Sequence, residues 1–335
     1  MSSINLASIC DVYHKGKSIS KMIRNDIILW EKTGKYTIFS INCSDTSKEQ
    51  LKIAAISDNS ITELIINNVT QTIPTTDSTT FRLKQGENII KVKGNFNVAD
   101  SSITNIKFLD TWSGLTSLNC MFWGCSVLTS LDLSGLNTSN ITDMSIMFTD
   151  CYVLNSLDLS NFDTSNVTNI MGMFAGCESL TSLDLSNFDT SNVTNMDSAF
   201  NYCSALTSLN LGSFDTSSVT DMGYMFSFCE VLTSLDLSNF DTSNVTDMNS
   251  AFNHCSALTS LNLGSFDTSS VTNMNRMFLD CTSLTSLNLN SFDTNNVTDC
   301  KEMLDNVLST ATIKVGSNFT KTEADCSWTG TFTRV

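Results

Sequence analysis

Proline is almost missing from this chain: Pro74 is the only one in 335 residues. Histidine is nearly as scarce, limited to His14 and His254. Neither histidine sits in an H-E-x-x-H or triad-like pattern, and no Gly-rich phosphate loop occurs, so catalytic chemistry of those kinds has no residues to run on. No enzyme activity and no cofactor are expected. Between Lys107 and Arg276 there is no lysine or arginine. Residues 1–98 hold 12 Lys/Arg against 9 Asp/Glu, and residues 99–335 hold 6 against 25. Nucleic-acid binding needs cations facing phosphates, which excludes it for that long acidic stretch. No apolar run approaches a membrane span, so membrane insertion is not expected. The opening residues MSSINLASICDVYHKGK show no charged segment followed by an apolar one, so a chain made and kept in the cytoplasm until release is expected.

What is present is a repeat. Cysteines stand at 125, 151, 177, 203, 229, 255 and 281, each 26 residues after the last. One coil, from Cys177, reads CESLTSLDLSNFDTSNVTNMDSAFNY. Leu183 and Leu185 are two apart and face one side of a strand. In the coil before, Val167, Ile170, Met173, Phe174 and Cys177 fall at offsets that fit one face of a short helix. The F-D-T-S-N between the halves is rich in turn and capping residues. The expected fold is an α/β repeat: a leucine-rich-repeat solenoid of strand plus short helix, with a parallel sheet. A single coil cannot bury its own apolar face, so the coils must stack. The coils from 203 and 255 share SALTSLNLGSFDTSSVT, which marks a longer, 52-residue period. Four segments are expected: a β-hairpin docking module over 1–36, a small β-rich domain over 37–98, the solenoid over 99–306 and a C-terminal cap over 307–335.

Three constant columns look chemical. The cysteines lack the short spacings of a metal site, and a core-packing role is expected. The aspartates Asp163, Asp189, Asp215, Asp241, Asp267 and Asp293 supply one carboxylate per coil. That is sparse for calcium, and backbone capping of the following turn is expected instead. Sequons at Asn140, Asn166, Asn192, Asn244 and Asn296 follow from the repeat itself, with Asn and Thr expected to cap the short helix. No metal site is expected.

The columns that vary are the more informative ones. Tyr202, Phe228 and His254 occupy one column in three successive coils, with Tyr224 and Arg276 four residues before that column in theirs. Trp123 stands beside the same column in the first coil. Aromatic residues gathered at coil spacing form a candidate ligand-binding strip, because clustered exposed rings favour partner or sugar contacts. The competing surface is the polar sheet face carrying Asp158, Asp184, Asn210, Asp236, Asn262 and Asn288.

The unit LTSLDLSNFDTSNVTDM…MF..C resembles the BspA-like leucine-rich repeats of bacterial surface proteins, over about residues 100–306. The resemblance implies surface display and attachment without catalysis. Residues 9–30 carry a short repeat of their own, readable as two hairpin-like units with turns at Lys15-Gly16 and Asn25-Asp26. The stretch VYHKGKSISKMIRNDIILWEK is similar to short β modules of phage virion and tail proteins, which leave the cell by lysis. Together these imply a phage virion or tail-associated structural protein made in the host cytoplasm. Residues 1–98 then dock on a virion or other structural protein, and the solenoid meets a host-surface protein or glycan. The alternatives are a bacterial cell-surface adhesin and a cytoplasmic protein-binding scaffold.

Overall fold

A computed structural model describes residues 21–24, 27–31, 36–43, 50–55, 61–71, 79–83, 85–98, 103–111 and 113–335. The first of the two hairpin-like units lies outside them. Across Asn25-Asp26, β1 (Lys21–Arg24) pairs antiparallel with β2 (Ile27–Glu31). The next strands are β3 (Thr37–Cys43), β4 (Gln50–Ala55), β5 (Ile61–Ile66), β6 (Val69–Thr70), β7 (Thr79–Arg82), β8 (Gly86–Gly94) and β9 (Phe96–Asn97). Along β8 buried positions alternate with half-buried ones from Asn88 onward, as a strand with one face on a core requires. Strands β7, β4 and β9 form a three-stranded sheet.

The β-rich region and the repeats share one sheet. Strand β10 (Asn105–Asp110) pairs antiparallel with β3 and parallel with β11 (Ser130–Asp132), which belongs to the first full coil. Its two neighbours complete a sheet of order β11-β10-β3-β8-β5-β6. The open end of the coil stack is thereby covered by main-chain hydrogen bonds rather than left as a bare edge. The core is continuous across the junction. Phe96 stacks on Phe39, Phe39 on Phe108, and Phe108 meets Phe122 edge-on at 6.0 Å. From Phe122 a ladder of rings then runs coil by coil to Phe278, at 5.5–5.6 Å between centroids.

The repeats form a parallel β-solenoid of about 26 residues per coil. Strands β12 (Ser182–Asp184) and β13 (Ser208–Asn210) pair in register exactly one coil apart, as do β14 (Ser260–Asn262) and β15 (Ser286–Leu289). Strand β16 (Thr312–Val315) continues that sheet, and β17 (Thr333–Arg334) closes it. A second line of parallel bridges runs Ser117–Asp143–Asn169–Asn195–Asp221–Asp247–Asn273–Asp299.

The expected short helix does not form: no helix occurs among the described residues. The second half of each coil is a staircase of three-residue turns. In the coil from Cys177, Ala199 donates to Met196 C=O, Asn201 to Ser198 C=O and Cys203 to Phe200 C=O. The alternate N–H groups of Met196, Ser198, Phe200 and Tyr202 leave the coil and donate to the next one at 2.8–3.0 Å. Two residues per coil, four apart, take left-handed conformations: Ser198 (φ 58°) and Tyr202 (φ 57°) in this coil. A left-handed residue ends helical propagation, so apolar spacing that would suit a helix is met here by successive turns.

The constant columns join coil to coil. The Cys151–Cys281 thiols are buried, and each donates to a Phe carbonyl of the neighbouring coil, as Cys203 does to Phe174 at 3.2 Å. They line the turn arm rather than a helix face, and they are free thiols. Burial pushes the Cys177 and Cys229 thiols up to about 12. Each aspartate of the F-D-T-S-N turn accepts from the N–H two residues on, as Asp189 does from Ser191 at 3.0 Å. These are Asx-turns. The hydrogen bonds from Ser165 and Ser217 hold the Asp163 and Asp215 carboxyls below their usual range. The sequon asparagines cap no helix. Their side-chain amides donate to the previous coil, Asn192 to Ser165 C=O at 2.8 Å for example.

Candidate binding surface

Two of the variable columns are left-handed. One runs Gly124, Asp150, Gly176, Tyr202, Phe228, His254, Asp280, Asn306, and the other Cys120, Ile146, Gly172, Ser198, Tyr224, Ser250, Arg276, Glu302. At most of these positions the positive φ turns the side chain toward the surface, Ser250, which is buried, being an exception. That explains why these positions carry anything from glycine to tyrosine while Phe200 and Cys203 beside them stay fixed to the core. The backbone cost of a non-glycine residue there is roughly 1–2 kcal/mol.

The structure brings three of the six candidate residues into one stack. Tyr202 lies on Phe228 at 4.1 Å between centroids and 7° between planes, and Phe228 on His254 at 4.3 Å and 20°. Tyr202 is 46 % exposed, while Phe228 and His254 are half-buried. The ring faces cover one another, so solvent meets ring edges along the stack. His254 closes one end with both nitrogens engaged: Nδ1 lies 2.6 Å from Asn253 Oδ1 and Nε2 lies 3.1 Å from Asp280 Oδ2. At the other end Tyr202 is followed by Gly176, which has no side chain to cover its face.

The other candidates stand apart from the stack. Tyr224 and Arg276 share the second left-handed column with Ser250 between them. Arg276 is tied to Glu302, Nε to Oε2 at 2.7 Å, a pairing that raises its affinity for the proton. Trp123 is exposed beside Gly124, three coils before Tyr202. The sheet face is a ladder of Asx-turns, with Ser186 donating to Asp184 and Gly212 to Asn210. The Asn210 amide also donates to Asp184 at 3.2 Å, joining the face from coil to coil. A void of about 10 Å³ lies among Met222, Met225, Phe226 and their neighbours.

Sequence reasoning places Asp150, Gly176, Asn253 and Asp280 among the freely varying positions but not among the candidate binding residues, and the structure sets them around the stack. The signal was available in Gly124, Gly172 and Gly176, since glycine recurring four residues apart marks left-handed positions.

A family described as Mycoplasma protein of unknown function, DUF285, matches residues 90–208 and again 198–316. The two matches cover the solenoid and the strand that joins it to the β-rich region, and the chain belongs to that family. No curated protein matches it.

Proposed function

We propose that this member of the family is a non-enzymatic attachment or recognition protein whose solenoid presents the Tyr202–Phe228–His254 stack to a partner. The observation that carries the reading is the stack itself: three rings held at 4.1 and 4.3 Å on a solenoid whose charged residues are mostly acidic. Ring clusters of this kind are frequent anchors of interfaces. The rigid ladder beneath them removes much of the entropy that binding would otherwise cost. The sheet shared by β3, β10 and β11 supports the division of labour, because a partner docked on the β-rich region is rigidly coupled to the coils.

The setting we propose is a phage virion or tail, with residues 1–98 docked on another structural protein and the solenoid turned toward a host-surface protein or glycan. Mass spectrometry of purified phage particles tests the setting: the chain is expected in them, and its absence leaves a bacterial surface adhesin or a cytoplasmic scaffold. Replacing Tyr202, Phe228 and His254 together by Ser tests the surface. Loss of host-cell binding with the fold intact by circular dichroism is expected. Unchanged binding moves the site to the sheet face of Asp184, Asn210 and Asp236.

A further inference from the structure

We infer that the Tyr202 end of the stack is a slot for the guanidinium group of an arginine on a partner protein. The inference rests on the binding role proposed above and names the chemistry that role uses.

The column reads Asp150, Gly176, Tyr202, Phe228, His254, Asp280, and its two ends are built from the same parts. At the far end a planar nitrogen group, the His254 imidazole, lies face-on against an aromatic ring. A carboxylate one coil on, Asp280, meets its Nε2 at 3.1 Å. At the near end the aromatic ring is Tyr202 and the carboxylate is Asp150, two coils away. The planar nitrogen group that would stand between them is missing, because that position is Gly176.

Conformation alone does not require glycine there. Gly176 has φ 70°, and Tyr202 and Phe228 hold φ 57° and 59° in the same column. Glycine there leaves the Asp150 carboxylate free to lie over the position, where a side chain would make it swing aside. A Cβ on Gly176 would lie 2.6 Å from Asp150 Oδ1. The carboxylate therefore bends over the glycine, into the layer that a side chain of Gly176 would fill. Asp150 and, more weakly, Glu178 lie close enough to Tyr152 for their negative field to raise its pKa.

A group that fits this layer must be flat, to lie on Tyr202 at the stacking distance of its neighbours. It must be cationic and carry in-plane donors, to meet the Asp150 carboxylate. Guanidinium has all three properties, while the lysine ammonium lacks the plane. The surroundings select the same charge: no lysine or arginine occurs between Lys107 and Arg276, so the chain itself offers no nearby cation to occupy the slot.

The test uses the full chain and a fluorescein-labelled Gly-Arg-Gly-Arg-Gly peptide, read by fluorescence anisotropy at low salt. Lysine and citrulline versions are run beside it. Saturable binding of the arginine peptide is expected, several-fold tighter than the lysine peptide, with no binding of the citrulline peptide. Asp150→Asn is expected to weaken binding about tenfold, from the loss of a charge-assisted pair. Asparagine suits the left-handed conformation of Asp150, so the fold is kept. Tyr202→Ser is expected to weaken binding about threefold, Tyr202→Phe to weaken it less because the ring face is kept, and Asp163→Asn, in an F-D-T-S-N turn away from the stack, to leave it unchanged. Equal binding of the lysine peptide, or no effect of Asp150→Asn, overturns the slot. The peptide assay involves no cells. A failed slot therefore leaves the attachment reading to its own measurement, and loss of that reading leaves the slot to this one.

Discussion

Raising the pH should destabilise the solenoid through its buried thiols, beginning below the pH at which lysine and arginine titrate. Cys177 and Cys229 are fully buried, and burial lifts both from 9.0 to about 12. Below pH 9 the thiols are protonated in both the native and the unfolded chain, and their contribution is fully present. Between pH 9 and 12 the unfolded chain releases its protons while the native coils keep theirs, so stability is lost as pH rises. The slope is about 1.4 kcal/mol per pH unit for each thiol. The two together cost about 3 kcal/mol at pH 10 and about 5 at pH 11, the scale of a domain's entire stability. Cys151, Cys203, Cys255 and Cys281 are shifted the same way by burial and steepen the loss. The assay is guanidinium unfolding followed by far-ultraviolet circular dichroism from pH 8 to 11 under reducing conditions. A Cys177→Ala/Cys229→Ala variant is unfolded beside the parent chain. The variant is less stable at pH 8, but its stability should fall with pH less steeply, by about 3 kcal/mol per unit. Equal slopes for parent and variant would refute the linkage.

Two further outcomes test the ladder. The Thr190 hydroxyl is buried; it donates to Asp215 C=O at 2.8 Å and accepts from Asp215 N–H at 2.9 Å, so Thr190→Val strands two backbone groups and should cost about 2 kcal/mol. Thr190→Ser keeps the hydroxyl and should cost less in the same guanidinium titration; a larger loss for Ser would mean that the methyl group, not the hydroxyl, joins the coils. The Ser227 hydroxyl is buried with no hydrogen-bond partner, and the equivalent position one repeat pair earlier is Ala175. Ser227→Ala should therefore raise stability by about 1 kcal/mol, seen as a higher melting temperature; a lower one would show that the hydroxyl is bonded.

The period, the parallel stacking and the core columns were legible because burial repeats with the coil: Leu183, Phe200 and Cys203 recur where the rod needs volume. The local conformation of the turn arm was not. Apolar residues at Val167, Ile170, Met173, Phe174 and Cys177 satisfy one face of a helix and also a staircase of three-residue turns. Periodicity cannot separate the two. The deciding fact is where alternate N–H groups go, and they go to the next coil, which a single coil's sequence does not record. The aromatic strip was legible as a column, since ring residues 26 apart must meet if coils stack in register. Asp150 and Gly176 were not, because a glycine and an aspartate in a varying column look like decay of the repeat until the distance between them is known.

The left-handed columns also bear on why the stack exists. Stability alone would place glycine or asparagine at positions of positive φ, as Gly124, Gly172, Gly176 and Asn306 show is tolerated. Tyr202, Phe228 and His254 each carry a backbone cost of roughly 1–2 kcal/mol instead. Two ring contacts return about 0.5–1.5 kcal/mol apiece. The gain from stacking therefore does not exceed the cost of placing three bulky side chains where the backbone disfavours them. Residues held in a disfavoured conformation without a net gain in stability point to a use for their side chains. The use proposed for them lies on the outer edge of a column the core does not need, between an imidazole already matched with Asp280 and the tyrosine face beside Asp150.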